Sequence, residues 1–181
     1  MIRIVTESMS DFTQEESKAA DLIVMPLPIR FGMEEYWDDG VSLTQDDFYA
    51  RLRVAKELPK TSQVPVEHYR KCFNRLLENQ EDEVLVITGS SKLSGCYQSA
   101  CIAREACHDP ARVTVLDSLN ATCAEYMLVD QALRYRREGV SDMQTMLAKL
   151  RDVMAHYNGR TPFAFGGQAG QPPEHQTDAE D

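Results

Sequence analysis

Between Gly89 and Gly95 the chain places two glycines and three serines (Ser90, Ser91 and Ser94) in seven residues, with Lys92 the single cation among them. That is turn and helix-cap chemistry. It follows Val84-Leu85-Val86-Ile87-Thr88, an unbroken β-branched and aliphatic run suited to a strand buried on both faces. From Cys96 the pattern turns helical, with Tyr97, Ala100, Cys101 and Arg104 at helical spacing. A strand, a small-residue loop and a helix in that order aim free backbone N–H groups at an anion. A Walker phosphate loop needs Gly-Lys-Ser/Thr after four spaced residues, and Lys92 is not placed that way. No serine has glycines two residues to each side, so a nucleophile elbow is missing too. The loop offers hydroxyls and backbone donors with little positive charge, which suits a carboxylate better than a polyphosphate. An ordinary βα turn capped by Ser94 would use the same residues, and on this stretch alone both readings stand.

The elements that must position this loop follow from periodicity and breakers. Ile2-Arg3-Ile4-Val5-Thr6 reads as a first strand, leading into the acidic and hydroxyl residues Glu7-Ser8-Met9-Ser10-Asp11 at its carboxyl end, where open α/β sheets bind ligands. Thr13 caps a short helix from Gln14 to Ala20. Residues 23 to 29 read as extended, with Pro26 and Pro28 forbidding a central ladder position. A hairpin turns at Gly32-Met33-Glu34, and Trp37 reads as packing. Thr44 opens a helix carrying Phe48, Tyr49 and Leu52. Residues 60 to 65 read as a polar loop with Pro65 as first helical residue, and the helix after it buries Tyr69, Cys72 or Phe73, and Leu76. Val113 to Asp117 is another buried strand. Asp117-Ser118-Leu119-Asn120 leads into a helix with Cys123, Met127, Leu128, Gln131, Ala132 and Tyr135 on one side, with Gly139 at its C′ position. Ser141 with Gln144 caps a last helix carrying Met146, Leu147, Leu150, Val153 and Met154. The order implies an α/β fold, a mostly parallel sheet with helices on both faces.

Composition bounds the function. At 181 residues the chain is long enough for a sizeable core, and 43% hydrophobic with 27% charged residues describes a globular domain. A net charge of −10 argues against nucleic acid and anionic membrane surfaces. The longest apolar stretch, Leu22 to Ile29, holds two prolines and is too short to span a bilayer. Without a recognisable signal peptide, the expectation is a cytoplasmic protein. The five cysteines fit free thiols better than a disulfide framework, and Cys101 and Cys123 read as small core residues. The histidines at 68, 108, 156 and 175 lie far apart and argue against a metal site, and nothing calls for a cofactor.

Ser90-Ser91-Lys92-Leu93-Ser94-Gly95-Cys96-Tyr97-Gln98-Ser99-Ala100 resembles the Ser-Ser-x-Leu-Ser-Gly-Thr-Tyr-Gln-Ser-Ala signature of the DegV family, which contains the fatty-acid-binding subunits of bacterial fatty acid kinase. Ile4 to Asp11 resembles its opening Val-Thr-Asp-Ser-Thr-x-Asp, with Glu7 in place of Asp and Met9 in place of Thr. Val24-Met25-Pro26-Leu27, Tyr36 to Val41, Lys60 to Pro65 and Val115-Leu116-Asp117-Ser118 resemble four further family segments in order. The resemblance covers about residues 2 to 155. It implies a long-chain fatty acid with its tail in an apolar tunnel and its carboxylate held at Thr61, Ser62, Ser94 and Gly95, with Ser91 and Ser8 as weaker candidates. It also implies no catalysis by this chain, which would present the lipid to a separate ATP-binding fatty acid kinase subunit. Family members resemble two-lobed proteins whose second lobe completes the tunnel. Here a first lobe at 1-157 is followed by 158-181, glycine- and proline-containing and then acidic, read as an irregular or disordered tail. The expectation is a truncated member with part of its tunnel wall open and an exposed apolar surface favouring a homodimer. The competing expectation is a remnant without lipid binding, serving as a fold or interaction domain. A serine-dependent enzyme finds no triad context around His68 or His108.

Overall fold

The computed structural model describes residues 1–158. Its backbone is a four-stranded parallel sheet flanked by helices, with a small antiparallel sheet at one side. The parallel sheet holds β1 (Ile2–Glu7), β2 (Leu22–Met25), β6 (Glu83–Thr88) and β7 (Val113–Asp117), in the order β2-β1-β6-β7. The helices are α1 (Gln14–Ala19), α2 (Gln45–Val54), α3 (Val66–Leu76), α4 (Cys96–Glu105), α5 (Cys123–Arg137) and α6 (Met143–Asn158). None of these is long and apolar enough to cross a membrane.

Strand alternation divides the interior into two cores. Val5, Val84 and Val86 point to one face, where Tyr69, Cys72, Phe73 and Leu76 of α3 and Cys96, Ala100 and Ala103 of α4 cover them. Ile2, Ile4, Leu85 and Ile87 point to the other, under Leu128, Val129, Ala132 and Leu133 of α5 and Met146, Leu150 and Met154 of α6. The expected α/β architecture, a parallel sheet with helices on both faces, is the observed one. Chain order reverses between the adjacent central strands β1 and β6, so the crossovers leave in opposite directions and a crevice opens at their carboxyl ends.

The prolines do more than mark an edge. β2 ends at Met25, and the chain leaves the parallel sheet at Pro26 to enter a second one. There β3 (Pro28–Phe31) pairs antiparallel with β4 (Glu34–Trp37) and with β5 (Lys60–Thr61). Gly32, at φ +61°, makes the β3–β4 turn. Lys60 and Thr61, read from sequence as loop, are therefore a two-residue strand held by Ile29 and Arg30.

Other expectations need correcting by a residue or a phase. Pro65 is the N-cap of α3 and not its first residue. The cap of α6 is Asp142, whose carboxylate accepts from the Gln144 and Thr145 N–H groups, and not Ser141. Cys123 is exposed and Cys101 only half-buried, whereas Cys72, Cys96 and Cys107 are the buried thiols; all five are free. The buried stripe of α5 differs in phase from the apolar pattern for one reason. Its buried face begins with Glu125, a carboxyl that an apolar count skips, so Met127 is 43% exposed and Leu128, Val129, Ala132 and Leu133 lie inside. The tail assigned to 158–181 lies outside the described residues beyond Asn158.

Candidate functional site

A cleft of about 480 Å³ opens where the parallel sheet meets the antiparallel one. Its walls are Met9 from the turn after β1, Leu27 and Asp38 from either end of the β3–β4 hairpin, Thr61 to Gln63, and Leu93 to Gly95. That volume lies within the range of small-molecule sites. Four of the residues singled out from sequence, Thr61, Ser62, Ser94 and Gly95, meet here.

Each is placed by ordinary backbone physics. Thr61 ends β5, paired with Ile29, and the Ser62 N–H donates to the Pro28 carbonyl at 3.2 Å. The Leu93 and Ser94 N–H groups both donate to the Ser90 carbonyl, closing a tight turn that delivers Gly95 as N-cap of α4. Ser94 Oγ accepts from the Cys96 N–H at 3.3 Å, which leaves its own hydrogen to donate outward. Among the described residues no intramolecular hydrogen bond occupies the Gly95 N–H or the hydroxyls of Thr61 and Ser62. Three hydroxyls and one amide at the positive end of a ten-residue helix can together hold one carboxylate.

Two staples join the walls. The Gln63 Nε2 donates to Ser99 Oγ at 2.8 Å, its side chain lying across the bare Cα of Gly95, where a Cβ would stand 1.6 Å from Gln63 Oε1. The Val64 N–H donates to Cys96 Sγ at 3.4 Å. Any side chain at Gly95 would thus have to displace that of Gln63.

Ser8 and Ser91 are not brought to this cleft. Ser8 Oγ accepts from the Leu27 N–H at 3.1 Å, and the residue lines a neighbouring polar hollow beside Asp11 and Gln14. The Ser91 N–H is held by the Asp117 carboxylate at 3.2 Å, and the side chain is exposed. Asp38 borders both hollows. Sequence reasoning missed Met9, Leu27, Asp38, Gln63 and Leu93. The wall residues from β3–β4 could not be found by spacing, since they arrive through a sheet that a two-residue strand completes.

Beneath the cleft lie two fully buried carboxyls. Glu7, at the end of β1, accepts from the Gly89 N–H at 2.6 Å and from the Tyr69 hydroxyl at 3.4 Å. Glu125 accepts from the Thr6 hydroxyl at 3.1 Å, and its second oxygen has no hydrogen-bond partner among the described residues. Burial, against the pull of those hydrogen bonds, pushes Glu7 up to about 7. Burial and then the charge of Glu7 push Glu125 up to about 9. Among the described residues no group of three or more His, Cys, Asp or Glu is placed to hold a metal ion.

The family profile described as "Uncharacterised protein, DegV family" matches residues 1–162. A DegV domain-containing protein of Caldanaerobacter subterraneus subsp. tengcongensis is 36% identical over 159 residues, 84% of this chain and 55% of that protein. Among solved structures, a Thermotoga maritima protein described as revealing fatty acid binding function superposes with a TM-score of 0.78 at 31% identity, covering 87% of this chain and 56% of that one. A stearic acid-binding protein of Eubacterium ventriosum gives 0.75 at 31% identity, covering 83% and 52%. The chain spans about half the length of the relatives it matches. With its fold, its loop signature and a profile match over most of its length in agreement, the chain belongs to the DegV family.

Proposed function

We propose that this chain binds a long-chain fatty acid, its carboxylate held by Thr61, Ser62, Ser94 and the Gly95 N–H, and that it presents the lipid to a separate ATP-binding kinase subunit without doing chemistry itself. The observation that carries the reading is the convergence of unoccupied donors at the N-terminus of α4, at the switch point of the sheet. Met9, Leu27 and Leu93 supply the apolar approach beside them. The stearic acid bound by the Eubacterium ventriosum relative is a ligand of this class. Ser8 and Ser91 serve as framework in this reading, each already tied to its neighbours.

Each buried methylene of the tail contributes about 0.8 kcal/mol, so the length of apolar wall governs affinity. Losing one hydroxyl that donates to the carboxylate costs about 1.5–3 kcal/mol. Native mass spectrometry of the protein purified from bacteria, with lipid extraction of the same sample, tests the reading. The expected result is one fatty acid per chain, lost in Ser94→Ala. A dimer formed through exposed apolar surface would register in the same spectrum as a doubled mass. An empty protein that also ignores added oleate sinks the reading and leaves the fold or interaction domain.

A further inference from the structure

The cleft meets a carboxylate without a cation. Among the described residues no lysine, arginine or histidine lines it, and Asp38 does. Below it, Glu7 and Glu125 converge on one residue: a Cβ at Gly89 would stand 3.2 Å from Glu7 Oε1, 3.1 Å from Glu125 Oε2 and 2.7 Å from Met9 Cε. Met9 is also a wall of the cleft, so one side chain borders both the ligand space and the Gly89 backbone on which the two carboxyls converge. A second path runs through the floor. Gly95 precedes Cys96, which is buried in the same core as Tyr69, and the Tyr69 hydroxyl donates to Glu7 Oε2 at 3.4 Å.

We infer that a fatty acid enters this cleft together with one proton, which Glu7 takes up from bulk water while the ligand keeps its negative charge. The inference rests on the fatty-acid reading above. The ligand carboxylate keeps its charge because hydroxyls and an amide at a helix N-terminus surround it. Glu7 gives up its charge because it is buried beside a second carboxyl, and no cation stands among the groups of the described residues that act on either. The charged and titratable groups around it are Tyr69 of α3, Cys96 of α4, Asp117 of β7 and Glu125 of α5, with Asp11 beyond Glu125. All of these are neutral or acidic. Among the described residues no third His, Cys, Asp or Glu joins Glu7 and Glu125 in a group that could hold a metal ion. The step is a simple protonation, a carboxylate becoming a carboxylic acid, with no other bond made or broken.

With Glu7 half-protonated near pH 7 in the empty protein, the sign of the linkage is fixed. Below that pH the proton is already in place and affinity for the acid is flat. Above it, affinity falls about tenfold per pH unit, the dependence expected for uptake of one proton. Titration calorimetry with oleate at pH 8, in two buffers of different protonation enthalpy, reads the proton directly. The expected result is close to one proton per oleate, none with oleyl alcohol, and none in Glu7→Gln. Should Glu7→Gln not fold, an infrared difference spectrum of the unaltered protein assigns the proton instead. With oleate carrying a ¹³C carboxyl, the new acid band is expected at the unlabelled position, on the protein. A band at the labelled position, or oleate bound with no proton uptake, overturns the inference and leaves the fatty-acid reading intact. A protein that takes neither oleate nor oleyl alcohol at any pH sinks that reading, and the inference with it.

Discussion

The cleft has two unlike walls. On the parallel-sheet side, every residue from Val84 to Ser90 is buried, and fully covered helix faces pack on both sides of the strands. On the antiparallel side, α2 has no buried residue at all, and Val54 is 81% exposed at its end. Phe31 of β3 pairs edge-on with Phe48 of α2 at 5.7 Å and with Tyr36 of β4 at 6.5 Å, and all three rings are only half-buried. A stable platform therefore carries the β6–α4 donors, while Thr61 and Ser62 hang from a three-stranded ribbon with little core of its own. Regions of low packing density open at low free-energy cost. The difference assigns anchoring of the head group to one wall and adjustment to the other.

The sharpest way to break that contrast is to remove the same ring from each side. Phe73 is fully buried, against Tyr69 at 5.7 Å, and Phe73→Ala is expected to cost about 3–5 kcal/mol. Phe48 is only half-buried on α2, and Phe48→Ala is expected to cost about 1 kcal/mol. Urea unfolding compares them, and equal losses would mean that both walls share one cooperative core.

Next in size is the acid pair under the anchored wall. Glu125 is raised from 4.5 to about 9 and Glu7 to about 7 on folding. The folded state thus holds protons that the unfolded chain has released, so stability falls as pH rises from about 4.5 to about 9. In Glu125→Gln the amide still accepts from Thr6, but nothing remains to ionise. The variant is expected to match the parent near pH 4.5, to exceed it by a few kcal/mol at pH 8, and to show a shallower slope between. Urea midpoints across that range decide it, and parallel curves would show that Glu125 titrates normally.

How much of this was legible from sequence differs between the walls in the same way. The central strand announced itself as an unbroken β-branched and aliphatic run, and the Thr13 and Thr44 caps were visible as hydroxyls just ahead of acidic first turns. The β6–α4 loop could be read because its residues are neighbours in the chain. β5 could not, since two residues carry no periodicity and Lys60-Thr61 becomes a strand only by reaching Ile29 and Arg30. Asp38 and Leu27 enter the cleft through that same non-local pairing. Glu125 was hidden for the opposite reason. A charged residue at the start of an amphipathic helix reads as solvent-facing, and only the fold places it at the sheet's carboxyl edge, held by Thr6. Leu119 and Thr122, both at positive φ, carry the loop that brings it there.

Gly95 lies at the join of the two walls. In Gly95→Ala the new methyl meets Gln63 Oε1, so the Gln63 side chain must swing off Ser99. Losing that hydrogen bond is expected to cost only about 1 kcal/mol of stability. The methyl also intrudes beside the N–H that the ligand carboxylate would use, so oleate affinity is expected to fall by more than stability does. Loss of both in equal measure would mean that the staple, and not the donor, governs binding.

The smallest effect separates two arginines. Arg112, on the parallel side, donates to the carbonyls of Leu77, Asn79 and Asp82 as well as pairing with Asp109 at 2.8 Å. Arg51, on α2, bridges Glu34 at 2.8 Å and lies 4.6 Å over the Tyr36 ring, with 41% of its side chain exposed. An ion pair this exposed to water contributes little and is screened by salt. Arg51→Ala is therefore expected to lower the urea midpoint slightly at low salt and hardly at all at high salt. Arg112→Ala removes a donor from the Leu77 and Asp82 carbonyls, while Asn79 keeps the Asp82 N–H, and that loss is not screened by salt. If Arg51→Ala matched it, α2 would be anchored more firmly than its exposure allows, and the adjustable wall would have to be sought in the β3–β4 turn instead.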